Sequence, residues 1–440
     1  MGHGVLRFIT AGSVDDGKST LIGRLLFDTK AVLADQLLAL SKARHARVTA
    51  TDAAFDLALL TDGLEAEREQ GITIDVAYRY FATANRKFIV ADAPGHEQYT
   101  RNLVTGASQA DVAVLIVDAT RVDLSTTPAT LLPQTKRHSA LVKLLGLKHV
   151  GVAVNKMDLV GYDAGTFDAI RVALDALCVT LGLPPPQVVP VSALQGDNVV
   201  RGTDRMPWYT GPTLLDWLEG LDTRPDPTVH TLRMPVQLVA RQDGAATDDF
   251  RGYLGRIEAG SLRRGQQVGI LPSGQVATVA ELHVSNDHTQ PPGAEGADVA
   301  RVGHTVAVSL VEDVDVSRGD MLVAAEPEAR PTVAKLLRAD LCWLDAEPLS
   351  TARKYVLRHT TNTVFARVRS VDEVLEVKTL SHGTGESTLR MNDIGRVSLT
   401  LQKPIVCDPY DRLPSTGAFV LIDEASNATV AAGMVRSVEG

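Results

Sequence analysis

The stretch Gly12-Ser13-Val14-Asp15-Asp16-Gly17-Lys18-Ser19 decides how the rest of this chain is read. It fits Gly-x-x-x-x-Gly-Lys-[Ser/Thr]. An apolar run containing Val5, Leu6, Phe8 and Ile9 precedes it, and the helix-like Thr20-Leu-Ile-Gly-Arg-Leu-Leu follows. A strand, a glycine-rich loop and a helix in that order form a phosphate cradle. The glycines let backbone N–H groups approach phosphate oxygens, Lys18 reaches the β- and γ-phosphates, and the Ser19 hydroxyl is suited to Mg²⁺. The expectation is a nucleoside triphosphate site.

Working outward, short and almost continuously apolar runs recur at 5–11, 87–92, 111–118, 149–155 and 187–191, separated by amphipathic segments. Continuous rather than alternating hydrophobicity predicts strands buried on both faces, hence a mostly parallel sheet flanked by helices. Ligands on such sheets bind beyond the carboxyl ends of the strands. The ends of these runs are therefore where chemistry is expected.

Three further motifs stand at those ends. Asp92-Ala93-Pro94-Gly95 closes the second run. Its Asp can hold a Mg²⁺-bound water, and its Gly N–H can contact a γ-phosphate and so report its loss. Asn155-Lys156-Met157-Asp158 closes the fourth run. Asp158 can accept two hydrogen bonds from the guanine N1–H and N2–H₂, a pair adenine cannot supply. The wrong base leaves a buried carboxylate unsatisfied, and sites of that kind discriminate by about 10⁴-fold or more. Asn155 is expected to brace neighbouring loops, and the Lys156 stem to lie along the base. Ser192-Ala193-Leu194 follows the fifth run and can offer a backbone N–H to guanine O6. Each tetrapeptide alone is weak; four in order at strand ends predict GTP. Between the phosphate loop and Asp92, Thr73 is the candidate switch hydroxyl for Mg²⁺. His96, directly after Gly95, is the candidate that orients the attacking water, and Lys136-Arg-His138 reads as a charged helix face.

The 440 residues are 45% hydrophobic and 22% charged with a net charge of −9. That is ordinary for a soluble globular chain and argues against a general nucleic-acid binder. Cys178, Cys342 and Cys407 are too far apart for a zinc spacing and odd in number, so buried free thiols in a cytoplasmic protein are expected. No signal peptide and no apolar run long enough for a membrane span are seen. Leu221-Asp-Thr-Arg-Pro-Asp-Pro-Thr reads as a linker, and beyond it short alternating runs with tight turns predict β-barrels. A second break, Glu326-Pro-Glu-Ala-Arg-Pro-Thr, divides two β segments that share no legible repeat. The predicted fold is multidomain: an α/β P-loop GTPase domain over 1–222, a linker over 223–233, and β-barrels over 234–328 and 329–440.

Gly95-His-Glu-Gln-Tyr and Arg68-Glu-Gln-Gly-Ile-Thr-Ile resemble the translation-factor class of GTPases. Gly12-Ser-Val-Asp-Asp-Gly-Lys-Ser-Thr, Thr61-Asp-Gly-Leu-Glu-Ala-Glu-Arg-Glu-Gln-Gly and Met206-Pro-Trp-Tyr-x-Gly-Pro-Thr are similar, more narrowly, to the family of GTPase subunits of bacterial ATP sulfurylase. Elongation factors usually carry histidine where Ser13 and Asp16 stand. The resemblance covers essentially the whole chain. It implies a smaller partner subunit that carries the adenylyl-transfer site, with GTP hydrolysis on this chain coupled to formation of adenosine 5′-phosphosulfate. By position it implies GTP binding by Gly12 to Thr20, Asp92 to His96 and Asn155 to Asp158, and Mg²⁺ at Ser19, Thr73 and, through water, Asp92. Lys18, Thr73 and His96 are the catalytic candidates, with Val14 and Ile72 as an apolar gate for His96. A fused adenylylsulfate kinase is not expected, since Gly383-Thr-Gly-Glu-Ser-Thr lacks the lysine of a second phosphate loop. The alternative reading is an elongation-factor-like GTPase that delivers aminoacyl-tRNA. No arginine finger is evident; Arg121 is the nearest local candidate, with a solvated loop arginine as its plainer reading.

Overall fold

A computed structural model describes residues 3–32, 75–96, 99–222, 231–242, 250–284, 298–376, 381–383 and 388–439. Thr73 and Ile72, the first switch and most of the predicted linker lie outside them. The chain divides into two compact units, Met1–Thr223 with Glu376–Ser381, and Arg224–Leu375 with His382–Gly440.

The first unit is built on a six-stranded sheet. Its strands are β1 (His3–Ala11), β2 (Ala77–Ala82), β3 (Arg86–Asp92), β4 (Val112–Asp118), β5 (His149–Asn155) and β6 (Gln187–Pro190), in the order β2-β3-β1-β4-β5-β6. The five strands from β3 to β6 in this order are parallel, and β2 pairs antiparallel at the edge. All seven residues of β4 are buried, as a strand covered on both faces by helices requires. Registers such as Thr10 opposite Asp92 and Asp118 opposite Asn155 bring the strand carboxyl ends to one edge. The strand β2 alternates half-buried or buried residues with exposed ones, Phe81 alone being buried, so it left no continuous apolar run. Phe81 on β2 stacks on Phe88 at 4.6 Å, and both meet the Phe8 ring edge-on.

Among the described residues five helices serve this sheet: α1 (Lys18–Asp28), α2 (Thr100–Ala107), α3 (Pro133–Leu144), α4 (Ala164–Leu181) and α5 (Leu214–Gly220). Leu21, Ile22 and Leu25 of α1 share one core with Leu6, Phe8 and Val90 of the sheet. That spacing is the apolar stripe of an amphipathic helix. Packing fixes α1, and with it the loop that opens it. None of the helices among the described residues is long and apolar enough to cross a membrane.

The second unit holds both β segments. Strands β7 (Arg233–Gln242), β8 (Phe250–Arg256), β10 (Gln267–Leu271), β11 (Val276–Val284), β13 (Thr305–Leu310) and β14 (Met321–Ala324) close a barrel, beside the small pair β9 (Ser261–Arg263) and β12 (Val299–Arg301). The next segment orders β16 (Tyr355–His359), β20 (Ala418–Asp423), β21 (Thr429–Glu439), β15 (Thr332–Trp343), β19 (Ile394–Cys407), β17 (Asn362–Glu376) and β18 (Ser381–Gly383). A β16–β17 pairing closes its first six strands into a second barrel. Closure removes the exposed edges that would otherwise invite aggregation. The barrels touch through Leu271, Met321 and Val323 of one and Val406 of the other. Beside that contact, Arg233 grips Asp408 bidentately at 2.9 and 3.0 Å. Cys178, Cys342 and Cys407 are free and buried. Burial pushes the Cys178 thiol up to about 11 and that of Cys407 up to about 12.

Candidate functional site

The predicted site residues that are described meet at the carboxyl edge of the first unit's sheet. The phosphate loop leaves β1 at Ala11 and enters α1 at Lys18, with Asp15 and Gly17 in the left-handed region at φ 67° and 90°. Gly17 also lies against the Asn155 amide, so a side chain is excluded by space as well as by conformation. The Asp16 carboxylate, fully buried, accepts from the Ser13 N–H at 2.6 Å and so fixes the curl of the loop. Burial raises its pKa, opposed by the Ser13 bond and by the charges of Lys18 and Arg121.

Lys18 is 7% exposed, and its ammonium donates to the carbonyls of Gly12 (3.1 Å) and Ser13 (2.7 Å). Burial lowers its pKa against the pull of Asp92, Asp16 and Asp15. Asp92 is itself buried at the end of β3, where Thr10 Oγ1 donates to its Oδ1 at 3.3 Å. Gly95 packs directly on Lys18 Nζ and the loop backbone, and a Cβ there would lie 2.8 Å from Gly12 O. The Asp92–Gly95 segment and the phosphate loop are thus in van der Waals contact. Exposed His96 follows at the rim, its ring 6.1 Å from that of Tyr99.

The Asn155 carboxamide links the remaining loops. Its Nδ2 donates to Asp16 O at 2.8 Å, and its Oδ1 accepts from Ala193 N at 2.9 Å. Arg24 of α1 donates to the Ala193 carbonyl at 3.1 Å and also to that of Leu194. Ser192 and Ala193 are buried, while Leu194 is exposed. Lys156 takes a left-handed φ of 64° and pairs with Asp118 Oδ2 at 2.7 Å. Met157 is fully buried and opens a short 3-10 turn, Met157–Val160, in which the half-buried Asp158 stands second. That wall can hold a flat ring between an aliphatic lysine stem and an acceptor carboxylate.

Three side chains play parts that the sequence reading did not give them. Arg121 is exposed, as a loop arginine reads, but it is turned onto the phosphate loop. It donates to Val14 O at 2.7 Å and lies 3.4 Å from Asp16 Oδ1, so it clasps the phosphate loop from outside. His138 is not on a charged face but is 2% exposed. Gln134, unremarked in the sequence, donates to Gly95 O at 3.2 Å and lies 2.9 Å from His138 Nε2. Its position one turn before His138 was the only available signal.

Hard oxygen donors, the Ser19 hydroxyl and the Asp92 carboxylate, lie beside the phosphate loop. That donor set suits Mg²⁺ shared with phosphates, a cation that takes few protein ligands in such sites. Among the described residues no cluster of three or more His, Cys, Asp or Glu could hold a metal by itself.

The chain is similar to known proteins along nearly its whole length. Residues 3–236 match the elongation factor Tu GTP binding domain, and residues 336–436 match the GTP-eEF1A C-terminal domain-like family. The sulfate adenylyltransferase subunit 1 of Laribacter hongkongensis is 46% identical over 435 residues, covering 99% of this chain and 86% of its own. The bifunctional enzyme CysN/CysC of Mycobacterium tuberculosis is 47% identical over 98% of this chain and 67% of its own length. The bifunctional enzyme NodQ of a Rhizobium species is 47% identical over 99% and 65%.

Proposed function

The chain belongs to the sulfate adenylyltransferase subunit 1 family, with a GTP-binding domain of the elongation factor Tu type, and on that premise we propose that it is the GTP-hydrolysing regulatory subunit of a heteromeric ATP sulfurylase. A smaller cytoplasmic partner would carry the adenylyl-transfer site. There a sulfate oxygen attacks the α-phosphorus of ATP, the α–β anhydride bond breaks, and diphosphate leaves as adenosine 5′-phosphosulfate forms. That product is a phosphoric–sulfuric anhydride, so its formation is uphill and gains from coupling to GTP hydrolysis.

The observation that carries this reading is the Asn155 bridge, which holds the phosphate loop and the base-side loop at one sheet edge. In the proposed site the backbone of residues 12–20 cradles the phosphates, and Lys18 neutralises charge on the β- and γ-oxygens. Ala93 and Pro94 bring the Gly95 N–H to the γ-phosphate, and His96 orients the attacking water. Asp158 recognises the guanine edge, Lys156 and Met157 shape its pocket, and the segment Ser192 to Leu194 offers a backbone donor to O6. Ser19, and Asp92 through water, would hold Mg²⁺ together with Thr73; when bound, the ion supplies charge neutralisation on the phosphates. We further propose the division into 1–222, 234–328 and 329–440. Within these 440 residues we assign a single phosphate loop and no adenylylsulfate kinase activity.

The base assignment is tested by Asp158→Asn. GTP affinity should fall by about 10²-fold or more while xanthosine triphosphate, which presents a C2 carbonyl to the new amide, gains. Unchanged selectivity for GTP overturns it.

A further inference from the structure

The mechanism above leaves the buried imidazole of His138 unused. His138 lies in the first unit on α3, fully enclosed, with its Nδ1 unpartnered among the described residues. Its Nε2 is 2.9 Å from Gln134 Nε2, and that same nitrogen is 3.2 Å from the carbonyl oxygen of Gly95. One carboxamide NH₂ therefore faces two groups, and a carbonyl can only accept. The geometry is satisfied in one way: the amide donates to both, His138 Nε2 is the acceptor, and the imidazole proton sits on Nδ1.

That tautomer leaves a buried N–H without a partner, an unfavourable arrangement. The opposite tautomer would set an N–H against the NH₂ of Gln134 and turn the amide away from Gly95. The unfavourable proton position is thus coupled to the bond on Gly95. Burial, and after it the nearby charges of Lys18 and Arg137, hold the His138 pKa down to about 3, so it stays a neutral acceptor at physiological pH. The helix contributes geometry too: Gln134 and His138 are one turn apart on α3, and Gly95 is packed on Lys18.

We infer that Gln134, with its amide locked by neutral His138, is a positioning residue for GTP hydrolysis: it fixes the Gly95–His96 peptide, and through it the direction in which His96 leaves the phosphate loop. Gln134 touches neither the reacting phosphate nor the water. It acts through the peptide whose carbonyl it holds. Small displacements of such groups cost rate more than affinity, by up to about 10²-fold. This rests on the GTPase reading above.

The test is single-turnover GTP hydrolysis and GTP affinity, measured on the chain with its copurifying partner, for Gln134→Leu, His138→Phe, the double variant and His138→Gln. Gln134→Leu and His138→Phe should each slow the hydrolytic step on the order of 10- to 100-fold with Kd for GTP within about threefold of the parent. The double variant should be no slower than the worse single one, because the two residues act as a unit. His138→Gln restores an acceptor oxygen and should recover most of the rate. A parent that hydrolyses GTP while the single variants match its rate overturns the positioning role. So do rate losses that multiply in the double variant, or equal losses of rate and affinity. A parent without GTP turnover overturns the GTPase reading instead.

Discussion

Asn155, at the end of β5, donates to the carbonyl of Asp16 over 2.8 Å across 139 residues of sequence. The other end of its carboxamide accepts from Ala193, so one side chain sets the spacing between the phosphate loop and the base-side loop. Asn155→Ala leaves a buried carbonyl and a buried N–H unsatisfied, each worth about 1–3 kcal/mol. GTP and GDP affinity should fall together, by about 30-fold or more, in a fluorescent-nucleotide titration. A selective loss of GTP alone would place Asn155 in γ-phosphate sensing instead.

Arg121 and His96 should give opposite kinetic signatures. Arg121 holds the phosphate loop through Val14 O and Asp16, so Arg121→Ala should raise Kd for both nucleotides several-fold and leave the hydrolytic step nearly unchanged. A hydrolytic loss of about 10³-fold with intact affinity would instead identify it as an arginine finger in cis. For His96→Ala the expected loss is in the hydrolytic step, about 10²–10⁴-fold, at unchanged GTP affinity. Rapid-quench hydrolysis beside equilibrium binding separates the two cases.

The two barrels depend on Arg233 and Asp408, each only 3% exposed in its side chain. Burial alone would raise the Asp408 pKa, but Arg233 and Thr416 together outweigh it and hold it below its ordinary value. A depressed carboxylate adds stability above its unfolded pKa, and loses it as pH falls through the folded one. Urea unfolding of the parent should therefore weaken below about pH 4 in part through this group. Asp408→Ala should destabilise by about 3–5 kcal/mol at neutral pH, since it strands a buried guanidinium, and should lack that part of the acid dependence. A neutral-pH loss under about 1 kcal/mol contradicts the assignment.

The parallel sheet and the site edge were legible in the sequence because double-sided burial leaves continuous apolar runs, and β4 is buried along its whole length. Because β2 alternates, it carried no such mark. Motif residues such as Lys18 and Asn155 were legible because their roles depend on local backbone and strand-end position. Gln134 and His138 were not, since what matters about them is a contact with Gly95, 39 residues away. Arg121 is exposed, as its sequence context suggests, but its carbonyl partner on the phosphate loop, 107 residues away, is visible only in the fold. Asp118, partner of Lys156, hid as the last residue of an apolar run.

The most direct test of the account is GTP hydrolysis by the chain purified gently with its natural partner, with and without ATP plus sulfate. The account predicts stimulation that requires both, accompanied by adenosine 5′-phosphosulfate. GTP turnover indifferent to ATP and sulfate but raised by ribosomes and tRNA would contradict it and move the protein to translation.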